Sequence, residues 1–311
     1  MTGWTEVETP RILDADEAKA LNGQKVAAAE PNVTKAEVHR DPATGEMIVA
    51  YLPIRPPAAL RRAVTRVKLG GVQRSAMFRS ASRTFGFAPR KPTMRRESCR
   101  YTSLAADDPD AEQHLEDFAT VLGEALREID PATATANAAV LDANVLPDWR
   151  IGESGLWTSG VINRTAQLPY HYDAFNYPTV SAMPVMRRGI RGGHLSIPEY
   201  GLTVECRDGW TLFFCGHDVL HGVTPMRAVA EDAYRVSVVY YALRGMKDCY
   251  THAKEQEYGA RRRTEREREM ARRIAAGDLD IPVGRSKRKR KTEPQFLDPH
   301  AEHLIPDEAE P

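Results

Sequence analysis

The chain has 311 residues, and its 43 Lys and Arg balance 43 Asp and Glu, so the formal net charge is zero. A composition 42% hydrophobic and 28% charged suits a globular fold with its own core, and no apolar run approaches the ~20 residues that span a bilayer. Four scattered cysteines without a CxxC pair argue against a thiolate zinc site or a disulfide framework, and the acidic start lacks a signal-peptide core, which predicts an intracellular, non-secreted protein of a bacterial or virus-infected cytoplasm or a nucleus.

In chain order, residues 37–53 predict a hairpin turning at Asp41-Pro42-Ala43-Thr44-Gly45. Residues 56–68 predict a basic helix broken by Gly70-Gly71, and the Arg-, Ser- and Pro-rich residues 72–100 predict loops. Residues 55–100 carry 13 cations and one acid, Glu97. That density predicts a surface for a polyanion, with Arg74, Arg79, Arg83, Arg95 and Arg96 as backbone contacts to nucleic acid. Leu115, Phe118, Val121, Leu122, Ala125 and Ile129 recur at helical spacing, so residues 110–129 predict an amphipathic helix with an acidic outer face.

From about Ala138 short apolar segments alternate with turns: 155–162, 171–177, 194–197, 202–206, 211–215 and 234–242. Such spacing predicts a mainly β sandwich or jelly roll with flanking helices. A charged helix follows to about Ala276, in which Glu265, Glu267 and Glu269 interleave with arginines as on a solvated face. The resulting organisation is a hairpin, basic segment and helix over 1–137, a β core over 138–254, the charged helix over 255–284, and a basic cluster with an acidic disordered tail over 285–311.

His171-Tyr172-Asp173 is an H-x-D motif. On a strand, its imidazole and carboxylate would share one face and take adjacent positions on a metal. His39-Arg40-Asp41 repeats the pattern, but Asp41-Pro42 opens a turn that directs the carboxylate away. The third ligand is His221 or His217. His221, which follows Val219-Leu220 and precedes Gly222, is favoured; His217 reads as a loop or supporting residue. Arg235 is embedded in the strand-like Tyr234-Arg235-Val236-Ser237-Val238-Val239-Tyr240 and must be neutralised there. Either a structural acid does so, or the distal carboxylate of a dicarboxylate co-substrate, to which Ser237 also donates. Asn163 either bonds that co-substrate or makes a turn with Arg164. Trp157 and Trp210 read as core.

The order H-x-D, distal His, R-x-S resembles the iron(II)/2-oxoglutarate dioxygenases, and residues 150–245 resemble more narrowly the TET/JBP group. His171-Tyr172-Asp173-Ala174-Phe175-Asn176, Gly192-Gly193-His194-Leu195-Ser196-Ile197-Pro198-Glu199-Tyr200-Gly201 and Leu220-His221-Gly222-Val223 carry that likeness. The resemblance implies a double-stranded β-helix core and Fe(II) on His171, Asp173 and His221. It also implies 2-oxoglutarate on Arg235, Ser237 and Asn163, with O2 as oxidant. The implied reaction oxidises the 5-methyl group of a pyrimidine in DNA, 5-methylcytosine ahead of thymine, on a base flipped out of the duplex. Asn176, His194 and Phe175 are then the candidate base contacts, although Phe175 stands where some animal members have His. The alternatives are a hydroxylase of a small molecule or protein side chain, and an inactive oxygenase-fold module that binds DNA.

Overall fold

The computed structural model describes residues 3–73, 79–91, 96–164 and 167–277. The elements in order are β1 (Thr5–Glu8), α1 (Ala15–Leu21), β2 (Glu37–Arg40), β3 (Met47–Leu52), α2 (Ala58–Arg66), β4 (Gly70–Gln73), β5 (Arg79–Ala88), β6 (Arg100–Tyr101), α3 (Ser103–Asp107), α4 (Pro109–Ile129) and α5 (Pro131–Asn144). There follow β7 (Ser159–Arg164), β8 (Ser181–Arg188), β9 (Ile190–Gly192), β10 (Leu195–Ile197), β11 (Leu202–Val204), β12 (Trp210–Phe214), β13 (Gly222–Val223), β14 (Met226–Ala228), β15 (Tyr234–Tyr241) and α6 (His252–Ala275). The large sheet runs β1-β2-β3-β12-β8-β15-β7-β5-β4, with β6 on β5; a smaller sheet runs β11-β10-β13, and β14 pairs with β9. This is the mainly β architecture with flanking helices that the segment spacing predicts, folded as a double-stranded β-helix.

The central strands are buried on both faces, so their apolar residues run nearly continuously. In β15, Val236, Val238 and Tyr240 point to the helices, while Arg235, Ser237 and Val239 point to the other face and line a cavity there. In β12, Phe213 joins the helical side and Leu212 and Phe214 join the layer between the two sheets. Helix α4 supplies the helical side with Leu115, Phe118, Leu122, Leu126 and Ile129. It starts at Asp108, whose carboxylate accepts from the Ala111 amide. Val121, expected on the apolar face of this helix, is 44% exposed.

The hairpin, the basic helix and the charged helix form where the sequence predicts them. Several expectations are corrected. Residues 79–88 form the strand β5 rather than a loop, because its polar Ser82 and Thr84 face the cavity. Residues 171–177 form turns and single bridges rather than a strand. Cys99 and Cys249, 150 residues apart, are joined by a disulfide. Helix α5 (Pro131–Asn144) spans residue 138, where the β core is expected to begin. The basic cluster and acidic tail beyond residue 277 lie outside the described residues. Among the described residues, no helix is long and apolar enough to cross a membrane.

Candidate metal centre and substrate cavity

His171 and His221 meet across the barrel through a two-bond backbone bridge: the His171 amide donates to the His221 carbonyl (2.9 Å), and the His221 amide to the His171 carbonyl (3.1 Å). Asp173 is held by its own amide, which donates to the Gly216 carbonyl (2.7 Å). A turn rather than strand pleat therefore brings imidazole and carboxylate together. The Nε2 of His171 lies 3.8 Å from Asp173 Oδ1, and the Nε2 of His221 lies 4.0 Å from Asp173 Oδ2.

Each imidazole is oriented from behind. The Nδ1 of His171 lies 2.8 Å from the Pro169 carbonyl, and that of His221 lies 3.0 Å from the Val219 carbonyl. A carbonyl only accepts, so both Nδ1 atoms carry hydrogen and both Nε2 lone pairs face the carboxylate. Burial, with His171 nearby, pushes His221 down to about 4, so its imidazole is neutral, as a metal ligand must be.

His217 faces elsewhere. Its Nδ1 bonds Asp218 (2.6 Å), and its Nε2 accepts from Arg244 (2.8 Å). His39, in the second H-x-D, bonds Thr9 (2.7 Å), and Asp41 accepts from the Tyr200 hydroxyl (2.9 Å).

A cavity of about 590 Å3 opens beside the triad. Sheet register builds its wall. Asn163 stands opposite Ser237 on β15 and Ser82 on β5, which brings those three polar residues into one row. Arg235 lies two residues before Ser237 on the same face. Asn176 and Phe175 also line the cavity; Asn176 is buried, whereas Phe175 is 85% exposed. His194 is not among the lining residues and precedes β10 rather than lying within a strand. Burial beside Arg187 and Arg235 pushes it down to about 4.

Ser82, Thr84, Asn22 and Gly23 line the cavity without having been singled out from sequence. The polar alternation of residues 80–84 was the available signal for the first two.

These residues suit an iron and an α-keto diacid. His171, Asp173 and His221 offer three donor atoms within 4.8 Å of one another, the two-His-one-carboxylate set of non-haem iron oxygenases. A Cβ on Gly216 would come within 2.7 Å of Asp173 Oδ2, so glycine there leaves the donors their space. Arg235 is 1% exposed, its Nε donates to the Gly193 carbonyl (3.1 Å), and its Nη2 has no hydrogen-bond partner among the described residues. A buried guanidinium with an unmet donor aimed from the cavity wall calls for a carboxylate.

Residues 87–244 match the Tet_JBP family, the oxygenase domain of the 2OGFeDO superfamily. The chain belongs to that family. It is a 2-oxoglutarate-dependent dioxygenase, and its superfamily works with Fe(II), 2-oxoglutarate and O2. Among solved structures, NgTET1 in complex with 5mC DNA is similar at 17% identity, over 73% of this chain and 85% of that one, with a TM-score of 0.50. That likeness is one of fold. An oxidoreductase of the 2OG-Fe(II) oxygenase family from Burkholderia pseudomallei aligns at 17% identity over 63% of this chain and 85% of that one (TM-score 0.37). A Pseudomonas putida prolyl-4-hydroxylase aligns at 16% over 63% and 92% (TM-score 0.36). No curated protein matches the chain significantly.

The expected nucleic-acid contacts are unevenly placed. Arg74 and Arg95 lie outside the described residues, as does the side chain of Arg79. Arg83 is engaged by Asp107. Arg96 is half-buried, and its Nε has no partner among the described residues. Elsewhere in the basic block, Asp208 takes Arg61 (2.8 Å) and Arg55 (3.7 Å), and Glu255 takes Arg90. Acids distant in sequence thus consume part of the charge that the local count left free.

Proposed function

We propose that this dioxygenase oxidises the 5-methyl group of a pyrimidine in DNA to hydroxymethyl, with 5-methylcytosine the favoured target and thymine the second. The observation that carries the reading is the cavity, which extends from the Arg235 wall past the His171–Asp173–His221 cluster to Asn176 and Phe175. Its volume is within the ~300–1,000 Å3 of small-molecule sites and exceeds what a five-carbon diacid fills, which leaves room for one base. Membership of the family and the likeness of fold to a protein solved with 5mC DNA support the same reading.

Iron(II) held by His171, Asp173 and His221 would supply the activation of dioxygen. The chain's own groups bind, orient and keep water out. Arg235 forks onto the distal carboxylate of 2-oxoglutarate, Ser237 donates its hydroxyl to the same group, and Asn163 stands across the strand from Ser237. Val161, Met183, Leu195, Phe214 and Val239 line the cavity with apolar surface. Asn176, two turn positions beyond Phe175's neighbour Ala174, presents an amide to the Watson–Crick edge of an entering base. Inside a duplex the methyl lies in the major groove, out of reach of a recessed metal, so the base must leave the stack. Phe175 at the mouth offers a face for that base or its neighbour. Cations of residues 55–100 that are not ion-paired would grip the backbone.

The test is mass spectrometry of nucleosides after methylated and unmethylated DNA are incubated with the protein, iron(II) and 2-oxoglutarate. Hydroxymethylcytosine from methylated DNA supports the reading, and hydroxymethyluracil moves the target to thymine. Succinate without a modified nucleoside shifts the substrate to a small molecule or a protein side chain. No succinate with any DNA leaves an oxygenase fold that only binds.

A further inference from the structure

Glu199 lies in the short turn that joins β10 to β11, and its side chain is 2% exposed. Burying a carboxylate is costly unless it is fully paired. Here one oxygen, Oε2, accepts from the Leu220 amide (2.6 Å), and the other, Oε1, accepts from Arg11 Nη1 (3.0 Å).

The position of that amide gives the carboxylate its meaning. Leu220 directly precedes His221. The amides of Asp218 and Val219 both donate to the Cys215 carbonyl, and the amide of His221 donates to His171. Of these four consecutive amides, Leu220's alone is satisfied by a side chain. The stretch that carries the metal-facing imidazole is therefore tied from outside its own loop at two points, the backbone bridge to His171 and, one residue earlier, the side chain of Glu199.

The amino-terminal segment closes over the same spot. The Ile12 and Leu13 amides donate to the Glu199 carbonyl (2.8 and 3.3 Å), and Arg11 also donates to the Tyr200 hydroxyl (3.2 Å). Farther along, Val26 lies against Gly222, where an added Cβ would come within 2.5 Å of its methyl. Residues 11–26 thus reach the neighbours of His221 on both sides, Glu199 behind Leu220 and Gly222 after it, although they precede the family-matched residues 87–244.

We propose that Glu199 is a positioning residue for the metal centre, fixing His221 through the Leu220 amide, and that Arg11 of the amino-terminal segment locks Glu199 in that role. The inference rests on His221 being a metal ligand. Partners of this kind change metal affinity by about 10- to 100-fold when removed.

Cobalt(II) titration of the metal-free full chain, read by its visible absorption, tests this without turnover. Glu199→Ala is expected to bind cobalt about 10- to 100-fold more weakly, with an altered band. Glu199→Gln is expected to recover most of the affinity, because its amide oxygen still accepts from Leu220. Arg11→Met, at a side chain 39% exposed, is expected to lose a few-fold. Wild-type affinity and band in Glu199→Ala, while His221→Ala loses cobalt, would overturn the inference alone. Cobalt retained by His221→Ala would overturn the ligand reading and the inference with it. Glu199→Gln as weak as Glu199→Ala would overturn the route through the Leu220 amide. If Glu199→Ala does not fold, Arg11→Met decides, and an unchanged cobalt affinity there overturns the proposal.

Discussion

His217 and His221 stand four residues apart, and the loop between them turns only one toward Asp173. His217 is held by Asp218 and Arg244 at the surface, so His217→Ala is expected to keep most metal binding and turnover. His171→Ala, Asp173→Ala and His221→Ala are each expected to abolish both, measured by iron retention and succinate release. At the other end of the cavity, Arg235→Lys keeps the charge but loses the fork. Its KM for 2-oxoglutarate is expected to rise by about tenfold or more, the cost of one charged hydrogen bond, with DNA affinity unchanged in a direct binding assay. That His171, Asp173 and His221 would come together was legible in sequence, because residue type and order define a candidate donor set. The geometry behind them was not, since H-x-D works here through a backbone bond from Asp173 to Gly216 rather than through strand alternation. His194 falls just before β10 rather than within it, and nothing local in the sequence shows that it is buried near the part-buried Arg187 and the buried Arg235.

At the scale of elements, α4 is pinned to β5 through Glu112, whose Oε1 accepts from the Gly86 amide (2.5 Å) while Oε2 has no partner among the described residues. Burial pushes this carboxyl up from 4.5 to about 7. Below about pH 4.5 it is protonated whether folded or unfolded, whereas between 4.5 and 7 only the folded state keeps the proton. Stability is therefore expected to fall as pH rises through that window, by roughly 3 kcal/mol, and to level off above it. Glu112→Gln should flatten the profile, as read from urea midpoints at pH 5 and pH 8; an unchanged slope would mean that another group carries the proton. Strands β8 and β5 escaped the sequence reading for different reasons. Pro184 and two terminal arginines disguise β8, yet Pro184 faces Thr211 in the middle of the sheet. β5 looks like loop because its cavity face is polar.

For the whole molecule, the boundaries of the family match are not those of a folding unit. Cutting at residue 87 removes most of β5 from β7 and all of β3 from β12, which exposes both flanks of the central strands. It also removes Ser82, Thr84, Asn22 and Gly23 from the cavity wall. A fragment of residues 87–244 is expected to show neither a cooperative thermal transition by circular dichroism nor cobalt binding, whereas residues 3–277 should show both. The overall class was readable from strand spacing. Partner strands drawn from opposite ends of the chain were not, because pairing across such distances leaves no local trace.

The Cys99–Cys249 bond makes the middle of this chain a covalent ring. A single proteolytic nick inside it, for instance in the exposed Val229–Asp232 turn, opens the ring without releasing a piece. Nicked protein should run as one full-mass band on a non-reducing gel and as two after thiol treatment. Thiols added to keep iron ferrous in an assay would open the same ring, so activity compared with ascorbate and with dithiothreitol separates loss of metal reduction from loss of topology.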